Sequence, residues 1–424
     1  MSESKPRIGF AGLTHLGLCS AIAAAGQGFE ILAFDLDEAL IVGLREGRLP
    51  VSEPGLDDLM KVNRDRLTFT DSILDLGRCD LIYFALDVPT DESGESDESD
   101  LDALLNQVLT VARPDAVVVI LSQVSPGYTR EWQRVDRIVG YQVETLIFGR
   151  AVERATRPER FILGVADPAK PLPKAWHAFL ASFGCPILPM RLESAELAKI
   201  AINCCLVASV SVANTLAELC ERIGADWSEI APALKLDRRI GAYSYLSPGL
   251  GIAGGNLERD LATVDRLSLE HGTDAGVIRA FVANSKHRRD WALRTLQENF
   301  PVAQSKGHVA VLGLTYKEDT HSLKNSASIA LIGHLGAQPV KAYDPAAPKI
   351  EFKGQSVTRS ASAAETLDQA EVLLIMTPWA EFRSLKPAEI VRRMRGRLVI
   401  DPFRVLKPAE AKAAGLDHRT LGVA

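Results

Sequence analysis

Apolar runs of strand length alternate with helical patterns from the beginning of this 424-residue chain. Arg7–Ala11, Glu30–Asp35, Asp80–Ala85 and Ala116–Leu121 are short and almost continuously apolar, the pattern of strands covered on both faces of a parallel sheet. Amphipathic segments separate them. From Glu193 to Ile223 the period changes. Leu197, Ile200, Cys204, Ala208, Val212, Leu216, Leu219 and Ile223 recur at helical spacing with no Pro or Gly, and Gly224 supplies a stop. At 1.5 Å per residue that is a helix of roughly 46 Å, a length suited to bridging domains or carrying a subunit interface. Helical patterns continue to about Phe300. A second alternating region follows, with strands expected at His308–Gly313, Val340–Asp344, Val372–Thr377 and Leu398–Asp401.

The stretch Asp91–Asp102 is acidic and poor in apolar anchors, and reads as a solvated surface loop. A net charge of −6, with 47% hydrophobic and 24% charged residues, describes an ordinary soluble domain set. It argues against nucleic acid or an anionic membrane as the main partner. MSESKPRIGF has no apolar run before the first strand, and no stretch approaches 18 consecutive apolar residues. No signal peptide and no membrane-spanning helix are therefore expected. Cys19, Cys79, Cys185, Cys204, Cys205 and Cys220 show no metal-ligand spacing and read as reduced, mostly buried thiols. The expected compartment is the cytoplasm, and no metal is expected.

The first strand runs into Gly12-Leu13-Thr14-His15-Leu16-Gly17 and then an Ala-rich helix. A G-x-G-x-x-G turn between strand and helix is the dinucleotide fingerprint. Gly12 makes the tight turn, Gly17 lets helix and strand pack closely, and the helix amides face the pyrophosphate. Thr14 replaces the middle glycine; its Cβ crowds the phosphate approach, although its hydroxyl could bond a phosphate oxygen. Asp35 ends the second strand, where a carboxylate accepts from both ribose hydroxyls and repels a 2′-phosphate, favouring NAD over NADP. The fold class expected is α/β: two Rossmann-like domains with parallel sheets, joined by a helical central domain with a long helix.

Several blocks resemble the UDP-glucose/GDP-mannose dehydrogenase family across nearly the whole chain. They are Glu53–Met60 (EPGLDDLM), Pro158–Gly164 (PERFILG), Glu196-Leu197-Ala198-Lys199 with Asn203, Asp237–Gly241 (DRRIG), Gly249–Gly255 leading to Asp260, Gly313–Lys317, and Tyr343-Asp344-Pro345. The resemblance implies an NAD domain at 1–190, a helical dimerisation domain at 191–302 and a nucleotide-sugar-binding domain at 303–424. It implies a cytoplasmic homodimer in polysaccharide biosynthesis, with NAD and a nucleotide-sugar-like substrate as ligands. Family members oxidise a sugar C6 alcohol to a carboxylate with two NAD, trapping the aldehyde on a cysteine as a thiohemiacetal.

Carried over position by position, the resemblance assigns cofactor contacts to Gly12, Leu13, Thr14, His15, Leu16, Gly17, Asp35, Pro89 and Ser122. It assigns substrate contacts to Glu144, Leu146, Lys199, Asn203, Gly251 and Lys317, and to Arg239 reaching a neighbouring subunit. Lys199 and Asn203, four apart on one helix face, suit holding an alcohol oxygen and relaying its proton. Asp260 matches the family aspartate that helps the lysine activate water, and Glu144 the first glutamate of N-P-E-F-L-R-E-G.

The second glutamate of that block is Phe148 here, and a phenyl ring does no acid–base chemistry. The C-F-P-K-D end of the family's G-G-x-C-F-P-K-D reads Asn256-Leu257-Glu258-Arg259-Asp260 after Gly254-Gly255, so Asn256 stands where the nucleophilic cysteine belongs. An amide is not a nucleophile, which closes the thioester route at that position. Cys204 and Cys205 read as core residues of the long helix. The block S-T-V-P-P-G-T has become Ser122-Gln123-Val124-Ser125-Pro126-Gly127-Tyr128. In the C-terminal region Lys317 is kept, the arginine of T-D-D-x-R is Lys324, and D-G-R is Asp401-Pro402-Phe403, so Arg's bidentate fork is lost. The expected activity is two-electron oxidation of a CH–OH group, the chemistry that β-hydroxyacid dehydrogenases perform with a Lys and an Asn at this spacing. Four-electron oxidation by an altered route, and a non-catalytic NAD- or nucleotide-binding role, are the alternatives.

Overall fold

The computed structural model describes residues 5–89, 91, 95–253, 255–300 and 307–424. Residues 92–94 of the acidic run, Gly254 of the glycine run and the expected domain boundary at 302/303 lie outside the described residues. The chain divides into two compact units, one up to Ile202 and one from Asn203.

The first unit holds β1 (Ile8–Ala11), α1 (His15–Gly26), β2 (Ile31–Phe34), β3 (Leu67–Thr70), β4 (Leu81–Phe84), α2 (Ser99–Val111), β5 (Val117–Ile120), β6 (Ile138–Gln142), β7 (Phe161–Val165) and β8 (Ile187–Arg191). They form one sheet in the order β3-β2-β1-β4-β5-β6-β7-β8. The strand order reverses beside β1, so the loop after β1 opens at the switch point where α/β sheets bind ligands. Alternate residues of β1, β2 and β4 serve two cores. Ile8, Phe10, Ile31, Ala33, Leu81 and Tyr83 pack on one face, and Ala11, Leu32, Phe34, Ile82 and Phe84 on the other. Burial on both faces is why these strands read as continuous apolar runs. The sheet departs from all-parallel at one place: β7 runs antiparallel to β6, with Tyr141 opposite Gly164.

The acidic run is also not a loop throughout. Its last four residues begin α2, because Leu101 starts the helical stripe Leu101, Leu104, Leu105 and Val108, all buried. Asp102 then accepts from the Tyr128 hydroxyl at 2.6 Å.

The long helix α3 spans Leu192–Ile223, within one residue of expectation, and the boundary between the units falls inside it. Leu192 and Ala195 belong to a core of the first unit, and Val207, Ala213, Ala217 and Cys220 to two cores of the second. By length and composition α3 is long and apolar enough to cross a membrane. Most of the stripe read from sequence faces outward: Leu197, Val212, Leu216, Leu219 and Ile223 are exposed.

The second unit continues with α4 (Trp227–Leu236), α5 (Asn256–Glu270), α6 (Gly276–Arg289) and α7 (Trp291–Asn299). Then come β9 (Val309–Leu312), α8 (Ala327–Leu335), β10 (Val340–Tyr343), β11 (Val357–Arg359), β12 (Val372–Ile375), β13 (Leu398–Ile400) and β14 (Asp417–Arg419). The sheet order is β11-β10-β9-β12-β13-β14, every pair parallel. Six neighbouring strands of the first sheet, β3-β2-β1-β4-β5-β6, repeat that order, so both units carry the same winding.

Candidate functional site

The two units use one loop design twice. Gly12-Leu13-Thr14 follows β1 and Gly313-Leu314-Thr315 follows β9, with Gly12 at φ +91° and Gly313 at φ +92°. In each, the Leu amide donates at 2.7 Å to an aspartate just past the next strand, Leu13 to Asp35 and Leu314 to Asp344. The loops differ in what that carboxylate has left. Asp344 is buried and also accepts from the amides of Thr315, Ala346 and Ala347, the Thr315 hydroxyl and the Trp379 indole. Burial alone would raise its pKa, but these backbone donors outweigh it and hold the carboxyl below its ordinary value. Asp35 is half-exposed and accepts from Leu13 and Asp37, leaving lone pairs for two ribose hydroxyls.

Around Asp35 the loop has the shape a pyrophosphate needs. A Cβ on Gly17 would stand 1.9 Å from the Gly12 carbonyl oxygen, and one on Gly12 would stand 2.9 Å from Leu86. Thr14 is the N-cap residue of α1, but its side chain makes no cap bond; the hydroxyl donates to the Ala85 carbonyl at 2.9 Å. Its one proton is therefore directed at the sheet rather than at a phosphate oxygen, a correction to the role read from sequence. The first-turn amides, including those of His15 and Leu16, point out of the helix as an anion site requires. These residues fit NAD. Ser122 is wholly buried with its hydroxyl on the Leu86 carbonyl at 2.7 Å, and Pro89, on the exposed loop after β4, accepts from the Asp97 amide.

Glu144 and Leu146 lie in the segment after β6. Glu144 keeps an exposed edge, yet its carboxyl is desolvated enough to raise its pKa. The Thr145 amide (2.5 Å from Oε1) and the charge of half-buried Lys199 pull the other way without winning. A glutamate held in that balance suits proton transfer nearer neutrality than a solvated one. Phe148 lies against the His15 ring, centroids 4.2 Å apart.

In the second unit Asn203 Nδ2 donates to Asp260 Oδ2 at 2.5 Å, with Asn203 8% and Asp260 1% exposed. Arg259 lies beside the same carboxylate at 3.5 Å. Asn256 is the exposed first residue of α5, one turn before Asp260 on the same helix face. Gly255 has φ +100°, and the Lys324 side chain lies where a Cβ would go; Asn325 donates to Glu258 just beyond. Gly251, at φ +78°, meets the Ser285 carbonyl so closely that no Cβ fits. Lys317 lies over the Tyr316 ring. Arg239 is exposed and held by Asp237 through two bonds, 2.6 and 3.0 Å.

The cysteines are unpaired as expected, though only Cys19, Cys79 and Cys220 are fully buried. Burial, with the Asp260 charge second, pushes the Cys204 thiol up to about 11. It is protonated at neutral pH and a poor nucleophile.

Two carboxylates of the sequence blocks do more than sequence assigned to them. Glu196, with 0% exposure, accepts from the amides of Gly127 (2.6 Å) and Thr129 (2.8 Å), fixing the segment after β5 one turn before Lys199. Glu53 does the same for the segment after β6.

A dinucleotide loop with an NAD-type aspartate, a second Rossmann-like unit and a desolvated glutamate near a lysine define an NAD-dependent dehydrogenase acting on CH–OH groups. Comparison with known proteins narrows the class. The chain matches the UDP-glucose/GDP-mannose dehydrogenase family in its NAD binding domain over residues 6–177, its central domain over 193–286 and its UDP binding domain over 310–408. It belongs to that family. TuaD, a UDP-glucose 6-dehydrogenase of Bacillus subtilis, is 29% identical over 436 residues, covering 98% of this chain and 93% of TuaD. The putative UDP-glucose 6-dehydrogenase YtcA of the same organism is 28% identical, covering 96% of this chain and 97% of YtcA. A UDP-glucose dehydrogenase structure from Pyrobaculum islandicum superposes with a TM-score of 0.87 at 26% identity, over 100% of this chain and 99% of that one.

Proposed function

We propose that this chain oxidises one alcohol of a UDP- or GDP-sugar-like substrate to a carbonyl, in a single hydride transfer to NAD. The observation carrying this reading is Asn256: the position expected to bear a thiolate holds an amide, one helical turn from the Asn203–Asp260 pair. NAD, when bound, accepts the hydride from the carbinol carbon. Lys199 and Asn203, one turn apart on α3, hold the alcohol oxygen, whose proton leaves through Lys199, with Glu144 as the acid–base group whose carboxyl feels the Lys199 charge. Asp260 fixes the Asn203 amide by accepting from it. Substrate contacts are assigned to Leu146 in the first unit, to Gly251 and Lys317 in the second, and to Arg239 from a second copy. Residue 256 offers no thiol for a thiohemiacetal, and Cys204 is held as a thiol, so neither position supplies the nucleophile of a second oxidation.

The exposed Val212, Leu216, Leu219 and Ile223 on α3, with Leu236, Ile240 and Tyr243 beyond it, support a homodimer built on the central segment. The family matches at 6–177, 193–286 and 310–408 support a division into domains at 1–190, 191–302 and 303–424, and the proposed protein is a cytoplasmic enzyme of polysaccharide synthesis.

A second reading, an NAD- or nucleotide-binding protein without turnover, draws on Phe148, whose ring packs on His15 where the family has a carboxylate. Incubation with NAD and a panel of UDP- and GDP-sugars, with products identified by mass spectrometry, separates the two. A carbonyl product supports the dehydrogenase, a uronate contradicts the limit drawn from Asn256, and tight NAD binding without any product favours the second reading. Lys199→Ala is expected to lower kcat by about 10²-fold or more with the NAD dissociation constant unchanged. Normal turnover in that variant would remove Lys199 from the chemistry.

A further inference from the structure

Glu53 lies just before the helix Leu56–Val62 and is buried, with 1% of its side chain exposed. Its two oxygens take the Gly149 amide at 2.9 and 3.0 Å and the Ala151 amide at 3.2 Å. His15 Nε2 approaches Oε1 at 2.7 Å. With amide donors on both oxygens the carboxylate is an acceptor throughout, so the His15 nitrogen carries the proton. His15 is the first residue of α1, in the dinucleotide loop, and its ring is held from another side by Phe148 at 4.2 Å. Gly149 and Ala151 end the segment that begins at Glu144. The same segment is tied at its start by Arg154, which donates to the Thr145 carbonyl and hydroxyl at 2.8 and 2.9 Å. Cys19, 4.0 Å from His15 Nε2, is the next titratable group on α1; burial first, then the charges of Glu53 and Glu144, raise it to about 12.

A buried carboxylate that only braced two loops could be served by water or by backbone. Glu53 instead connects the loop that NAD must order to the segment that carries the candidate acid–base glutamate. We propose that Glu53 is a positioning residue: acting through His15 and the Gly149 and Ala151 amides, it makes the placement of Glu144 depend on NAD. Phe148 is part of the same device, its ring seating His15 against the carboxylate. NAD binding stiffens the start of α1, the stiffening passes through the His15–Glu53 bond, and Glu144 is fixed before substrate arrives. The proposal rests on Glu144 working at the substrate, but its test uses NAD alone, so a wrong substrate assignment does not affect the result.

The test is peptide-resolved hydrogen exchange of the full chain, with and without saturating NAD. In the wild type NAD should slow exchange both at residues 12–26 and at residues 143–151, the latter by about fivefold or more, the scale of one lost hydrogen bond. His15→Ala removes only the cofactor-loop end of the clamp. With NAD raised to saturation for that variant, as fixed by its own calorimetric titration, it should lose the response at 143–151 while 12–26 is still slowed through the retained residue 15 amide. Glu53→Gln, which offers one acceptor oxygen where there were two, should reduce that response as well; if it does not fold, His15→Ala decides alone. An equal NAD response at 143–151 in wild type and His15→Ala, or none in the wild type, would overturn the proposal. A purely structural Glu53 would lower the melting temperature without making exchange at 143–151 depend on NAD.

Discussion

Glu144 illustrates how one side chain trades stability for chemistry. Its pKa is raised by desolvation, against the Thr145 amide and the Lys199 charge. The folded state therefore holds a proton that the unfolded chain releases near the ordinary carboxyl value of 4.5. Stability from this group is present at low pH and falls as pH rises from 4.5 through the raised folded value. The rate of a reaction that uses Glu144 as base rises across the same window. Glu144→Gln keeps an oxygen for the Thr145 amide and removes the buried charge. It should melt at the same or a higher temperature at neutral pH, lose this component of the pH dependence, and lower kcat by about 10²-fold, read from melting curves and rates across pH. Residue roles were the least legible part of the sequence. Lys199, Asn203, Asp260 and Asn256 could be named because the family blocks around them place them, and for Lys199 and Asn203 the helical spacing agrees. The commitments of hydroxyls and carboxylates were not visible: Thr14 to Ala85, Ser122 to Leu86, Glu53 to three donors. Those partners lie on segments far apart in sequence, and spacing carries no information about them.

At the scale of elements, two glycine loops of one design have diverged in what their aspartates can do. Asp35 retains acceptor capacity toward solvent, whereas Asp344 is buried under its own loop. A Cβ at residue 17 would collide with the Gly12 carbonyl, and one at residue 313 with the Thr377 side chain, 2.5 Å away. Gly17→Ala should abolish NAD binding and Gly313→Ala should leave it unchanged. Each should cost about 1–3 kcal/mol of stability from overpacking and backbone strain, measured by calorimetric titration with NAD and by thermal melts. Loss of NAD affinity in Gly313→Ala would show that the second loop takes part. The strands around these loops were legible to within a residue or two, because burial on both faces leaves continuous apolar runs. β6, the antiparallel β7 and the edge strands β3, β8, β11 and β14 were not read. β11 (Val357–Arg359) and β14 (Asp417–Arg419) have three residues each and include charged ends, so neither periodicity nor apolar length marks them. The start of α2 was taken for loop because the acidic run hides Leu101 among carboxylates.

For the whole molecule, the winding 3-2-1-4-5-6 occurs in both units, and α3 belongs partly to each. Its outward stripe was read from sequence as a helix of interface length, and the sequence pattern could not tell a core face from an uncovered one. Both are apolar at the same spacing. Leu216→Glu on the exposed face should shift the chain from dimer to monomer in sedimentation equilibrium, because a charge at the centre of an apolar interface is left unpaired. An unchanged mass would place the interface elsewhere. On the proposed reading the first unit holds NAD and the second carries Asn256, an amide, at the position where the family resemblance places the nucleophile. The most direct measurement of that claim is the number of NADH formed per molecule of nucleotide sugar consumed, followed to completion with a scavenger for neither product. One NADH per substrate with an aldehyde or ketone product is the result expected. Two NADH with a uronate would contradict it, and would mean that this fold completes the second oxidation without a thiol at residue 256.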